Sequence, residues 1–217
     1  MPLGMMTRLG LRFLIGMVLT VFFVISFQSA VFATAQLPDI LVYNGKEYAM
    51  HSNPMEEFFR KNPDKRPQIT GMCSALWRGY VAKFEVINGE LYVTGLFLDA
   101  CDGNRKNQLK KVFPGVKKVK VDWLSGVIVL PNGSIVEYVH MGYLSTYENY
   151  ILLEVTDGVI TKEKNFTLDE FVAFSEQQLQ AFKATQEYEQ LKANYGDDFD
   201  AYLQMQIFMY TPKFLVD

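Results

Sequence analysis

Tyr138, His140 and Tyr143 lie within six residues of one another, and Tyr147 and Glu148 follow closely. Strand alternation puts Tyr138 and His140 on one face and Val139 and Met141 on the other. Gly142 then interrupts the strand, so that Tyr143 and Tyr147 can fold back beside His140. An imidazole among phenols and a carboxylate suits a general base or a ligand clamp. The competing reading is a hydrogen-bonded histidine at a strand end with a purely structural role. No serine or cysteine sits at a recognisable nucleophile elbow, so a hydrolase triad is unsupported.

The second group is electrostatic. Arg105, Lys106, Lys110, Lys111, Lys117, Lys118 and Lys120 fall in one segment with no acidic residue among them. Such a run is a docking patch for an acidic protein, an anionic lipid surface or a polyanionic glycan. It is equally a solvated loop and strand edge, because lysine guards sheet edges against pairing. Phe113 is the one aromatic residue in the run, which leaves little for base stacking and argues against nucleic acid.

Cys73 and Cys101 form the third group. In a hairpin turning at Asn88-Gly89, Cys73 would face Asn104, three positions from Cys101. A disulfide is expected if a bulge or loop absorbs that offset; two buried free thiols are the alternative. The two cysteines and two histidines (His51, His140) lack metal-ligand spacing, so no metal site is expected. Asp99, Asp102 and Asn104 resemble half a calcium loop without its later glycine and bidentate glutamate. No cofactor motif occurs, and no cofactor is expected.

The compartment in which these groups work is indicated by the N-terminus. Arg8 and Arg12 precede a 15-residue uncharged, mostly apolar run, Phe13 to Phe27, and Ala33-Thr-Ala35 follows. Positive region, apolar region and small-x-small site compose a secretory signal peptide cleaved before Gln36. An uncleaved anchoring helix is the alternative, although a span needs about 20 residues. The domains expected are a signal peptide over 1–35 and a single exported domain over 36–217. No membrane span is expected after cleavage. Of 21 basic and 24 acidic residues, only Arg8 and Arg12 lie in the leader, so the remainder carries 19 against 24, a net −5. That balance argues against wholesale nucleic-acid binding.

Four turn signals organise the exported part: Asn44-Gly45, Asn88-Gly89, Asn132-Gly133 and Asp157-Gly158. Each is flanked by β-branched and aromatic residues. Asn-Gly and Asp-Gly reach positive φ at low cost, as type I′ turns between twisted strands require. Four hairpins are therefore expected, the third joining Val127–Leu130 to Ser134–Met141. Asn53 with Pro54 opens a short helix. Thr167 and Glu170 form a capping box for a long helix that Tyr195-Gly196 ends, and a second helix follows from Asp197 or Asp198. The fold class expected is α+β: an antiparallel β-meander of hairpins over 36–163, with a C-terminal helical hairpin over 164–217 on one face.

The segments Trp77-Arg-Gly-Tyr80, Trp123-Leu-Ser-Gly126 and Tyr138-Val-His-Met-Gly-Tyr143 resemble a group of bacterial proteins with no known activity. The resemblance covers about residues 38–163 and implies a bacterial source. It transfers no catalytic residue, but it adds Trp77 and Arg78 to the residues of interest.

The function expected first is an exported periplasmic or envelope module that binds one protein partner through the basic segment, as an inhibitor or immunity-type protein would. The rival is a small-ligand binder or enzyme with a pocket around His140, Tyr138, Tyr143, Trp77 and Arg78.

Overall fold

A computed structural model describes residues 34–68, 73–98, 101, 106–196 and 199–217. All but the last two residues of the signal-peptide segment, Arg105, most of the calcium-like loop and the expected helix start at Asp197 or Asp198 lie outside these residues. All the described residues belong to one compact unit, Ala33–Asp217.

Three of the expected hairpins form: β1 (Asp39–Tyr43) with β2 (Lys46–Met50), β3 (Tyr80–Ile87) with β4 (Glu90–Leu98), and β7 (Thr146–Thr156) with β8 (Val159–Thr167). Asn44, Asn88 and Asp157 sit at φ of 50°, 53° and 49°, each followed by a glycine at positive φ. Both central residues are thus left-handed, which defines the type I′ turn. At Gly158 the backbone is also crowded, since an added Cβ would stand 2.5 Å from the Val121 carbonyl oxygen.

The third turn signal is a correction. Asn132-Gly133 lies inside β6 (Gly126–Glu137), and Pro131 and Asn132 pair onward with Tyr150 and Asn149 of β7. The register shifts between Asn132 and Ile135, so Gly133, at φ 89°, serves a bulge and not a reversal. Glu148 stabilises it by accepting the Ser134 amide at 2.8 Å. The reversal itself runs through residues 138–145.

These strands form one sheet in the order β2-β1-β3-β4-β8-β7-β6, with a short β5 (Val119–Lys120) beside β4. All pairings are antiparallel except β1 with β3. The sheet curls until its edges approach: the His51 amide donates to the Val129 carbonyl at 2.9 Å, and Lys46 reaches Asn132 at 2.8 Å. The curled interior is the first core, where Leu41, Phe84, Leu91 and Val93 meet Ile128, Leu130 and Leu153. Helix α1 (Pro54–Lys61) adds Met55, Phe58 and Phe59, and α2 (Leu109–Val112) adds Leu109 and Val112.

Strands β6 and β7 are apolar on both faces. Ile128, Leu130, Ile151, Leu153 and Val155 point inward, while Val127, Val129, Tyr150 and Leu152 point outward. The period of two gives this alternation, and the outer face must itself be covered. Three helices cover it: α3 (Leu168–Lys183), α4 (Gln186–Tyr195) and α5 (Phe199–Tyr210). The Thr167–Glu170 capping box opens α3. The single long helix expected up to Tyr195 is broken after Lys183, where Thr185 caps α4 by accepting the Tyr188 amide at 3.2 Å. Gly196, at φ 77°, ends α4. The C-terminal tail is fixed by two buried polar side chains, because Glu154 accepts the Phe214 amide and Gln178 bonds both Lys213 and Leu215. Among the described residues, no helix is long and apolar enough to cross a membrane.

Cys73 and Cys101 are joined, with Cα atoms 6.6 Å apart. A single 3₁₀ turn, Ser74–Leu76, lies between Cys73 and β3. A second turn follows, with the Gly79 amide donating to the Leu76 carbonyl, and together the two turns shorten the longer arm between Cys73 and β3.

Candidate functional site

Arg78 and Asp39 form a fully buried ion pair at the start of the β1–β3 pairing, with the guanidinium Nη2 3.3 Å from Oδ1. Removing two charges from water is costly unless their remaining valences are met. Arg78 therefore also donates to the Leu37 carbonyl at 3.0 Å and to the Tyr143 hydroxyl at 2.8 Å, while Asp39 accepts the Ala82 amide at 2.8 Å. Asp39 Oδ2 and Arg78 Nε lack a partner. Burial outweighs the pull of Arg78 and pushes the Asp39 carboxyl up to about 7.

Tyr143 carries this network outward. Its hydroxyl donates to Asn53 Oδ1 at 3.0 Å, which diverts the Asn53 side chain from capping α1. Burial raises the phenol to about 12. His51 lies flat on the Tyr143 ring, with centroids 4.7 Å apart and planes 7° apart, and Tyr147 meets His51 edge-on at 5.7 Å. Burial lowers the imidazole to about 4, so it is neutral at pH 7.

The stacked pair borders a cleft of about 440 Å³ between the outer face of the sheet and helices α3 and α5. Its floor is Val129, Tyr150 and Leu179, with Phe171 stacked on Tyr150 at 3.9 Å and Ile207 alongside. Val172, Met205 and Met209 stand exposed at its rim. In the α5 wall Gln206 leaves helical conformation (φ −144°, ψ 40°). Hydrogen-bonding side chains make up half of the lining, with Ser52, Ser145, Thr146, Ser175, Glu176 and the glutamines of α5 beside His51, Tyr143 and Tyr150, but the surface left exposed is mainly apolar. No lysine or arginine is among the described residues that line it. An apolar hollow with a few convergent polar groups is the usual form of a small-molecule site.

The site residues expected from sequence divide. Arg78 and Tyr143 meet through a direct hydrogen bond, and Tyr143 reaches the cleft. Gly142, at φ 52°, turns the chain inward as expected, but the histidine that Tyr143 and Tyr147 flank is His51. His140 is exposed and packs edge-on against Tyr138 at 4.6 Å, and Tyr138 is itself 54 % exposed. Trp77 is 63 % exposed, its amide bonded to Gln36 Oε1. Gln36 and Ala35 in turn pair with Gly142, so a short N-terminal segment separates Trp77 from the 138–143 turn.

Lys106, Lys110, Lys111, Lys117 and Lys118 are all exposed, and no ion pair engages them among the described residues. Lys120 differs, because it is bound to Glu90 at 2.6 Å. No group of three or more histidine, cysteine or acidic side chains placed to hold a metal occurs among the described residues.

Comparison with family models, curated proteins and solved structures gives no significant match.

Proposed function

We propose that this chain is an exported binding protein whose cleft between the sheet and helices α3 and α5 holds a small, largely apolar molecule. The observation that carries this reading is the cleft itself, a half-open hollow of about 440 Å³ whose exposed lining is mainly aromatic and aliphatic. Bound there, an apolar body would lie against Phe171, Leu179 and Ile207. A neutral hydrogen-bonding head would meet His51 or Ser145 at the inner end. The cationless lining disfavours a carboxylate or phosphate head, which would be desolvated without a counter-charge. Export is supported by the N-terminal leader pattern and by the disulfide, since disulfides persist in oxidising compartments.

Rigidity favours binding over chemistry at this site. The His51 ring stacks on a tyrosine that is itself hydrogen-bonded to a buried ion pair, a preorganised wall that loses little freedom on binding. The ring makes no hydrogen bond to a carboxylate or hydroxyl among the described residues, which a general base of the triad type would need.

Titration with N-phenyl-1-naphthylamine, a neutral aromatic probe that brightens in apolar surroundings, tests this reading. The expected result is saturable 1:1 binding that weakens about tenfold or more in Val172→Asp/Met209→Asp, which places charge at the rim. Binding that is absent, or equal in the variant, would contradict it.

A further inference from the structure

We propose that α2 and the loop leading into β5 form a landing face for an anionic phospholipid surface. This face is remote in sequence from the cleft and does not rest on the ligand reading. Lys110 and Lys111 on α2 and Lys117 and Lys118 beyond the turn are exposed, and no carboxylate pairs with them among the described residues. Between the two lysine pairs the chain turns at Pro114-Gly115-Val116. Gly115 sits at φ 82° with open space around it, and Val116 is 40 % exposed. An apolar tip is thus flanked on both sides by lysine pairs.

The tip is held firmly from below. Leu109 and Val112 are buried in the first core, and Phe113 packs on Phe58 at 4.9 Å and on Trp123 at 6.2 Å. Lys111 continues the face into a depression shared with Lys65, Arg66 and Asp64. Arg66 is already neutralised by Glu56 at 2.9 Å, and Asp64 is the acid that subtracts from this face.

A lipid surface fits this pattern better than an acidic protein or a glycan. Lysine stems extend along apolar surroundings while the ammonium groups reach phosphate, and a short apolar tip enters the acyl boundary beneath. Charge complementarity orients the chain. Past the leader its net charge is −5, so a bilayer of anionic lipid attracts this face and repels the remainder.

The test is co-sedimentation of the full chain with vesicles of phosphatidylcholine alone or with one-third phosphatidylglycerol. The quantity read is the change in the ratio of the two affinities between the parent and the lysine variant, because both carry the leader with its Arg8 and Arg12. The expected ratio is on the order of a hundredfold at low salt, falling toward one in strong salt. It should also fall about tenfold or more in Lys110→Glu/Lys111→Glu/Lys117→Glu/Lys118→Glu; if that variant fails to fold, the same four changed to Gln give the same readout. Val116→Gln should weaken binding to the anionic vesicles several-fold with the salt dependence intact. Equal affinity for both vesicles, or a ratio unchanged by the lysine changes, overturns the proposal. Lysine-dependent binding that ignores Val116 would keep the lysines as the landing face and overturn entry of the apolar tip into the bilayer.

Discussion

Two buried titratable groups in one network respond to pH in opposite senses. The Asp39 carboxyl is pushed up to about 7 by burial. Between its ordinary value of 3.8 and 7, the folded chain therefore keeps a proton that the unfolded chain has released. Its stabilising contribution is complete below about 3.8 and is lost as pH rises through 7. His51 is lowered to about 4 from 6.5, again by burial. The unfolded chain gains a proton there that the folded chain refuses, so this contribution is complete above 6.5 and is lost as pH falls through 4. Each is roughly 3–4 kcal/mol over its full range. Denaturant unfolding from pH 4 to 8 should therefore show Asp39→Asn gaining on the parent as pH rises. His51→Gln should gain as pH falls. Parallel curves for parent and variants would show that neither group is displaced from its ordinary range. Arg78 and Tyr143 were legible in the sequence as residues of interest, but Asp39 and His51 were not. Asp39 reads as an ordinary polar strand start. His51 follows β2 with no pattern around it, and only the approach of β2 to β6 brings it onto Tyr143.

At the scale of elements, turn chemistry decided most of the β architecture. Asn44-Gly45, Asn88-Gly89 and Asp157-Gly158 close hairpins as their residue types require. Asn132-Gly133 misleads because a bulge and a type I′ turn both call for a glycine at positive φ. What separates them is the partner strand: β7 is long enough to pair on both sides of the bulge, and Glu148 fills the amide that the bulge leaves open. Helix α3 shows the converse failure. Ala184 and Thr185 are no strong stop signal, yet Thr185 serves better as a cap for α4 than as an interior residue. The Cys73–Cys101 disulfide ties the open end of the β3–β4 hairpin across a sequence separation of 28. Closing such a loop removes unfolded-state entropy worth roughly 3–4 kcal/mol. Cys73→Ser/Cys101→Ser should lose about that much stability in reversible denaturation, with the cleft still competent. An unchanged midpoint would mean that the bond constrains the unfolded chain little.

For the whole molecule, the α+β class followed from the turn signals and helix caps, and the helices lie on one face because β6 and β7 carry apolar residues on both faces. The cleft did not follow, since it arises where α3 and α5 leave part of that outer face uncovered. Phe171 and Leu179 lie among the apolar positions of α3 and Ile207 among those of α5, and Leu179 and Ile207 are buried. A stripe that completes a core and one that also walls a cavity have the same spacing, so periodicity cannot distinguish them. Methyl NMR of the protein titrated with N-phenyl-1-naphthylamine tests the cleft most directly. Saturable shifts are predicted for Val129, Val172, Leu179, Met205, Ile207 and Met209, with Leu41, Leu91 and Val93 of the first core unmoved. Shifts scattered over both cores, or absent from these six residues, would contradict a binding site between the sheet and the helices.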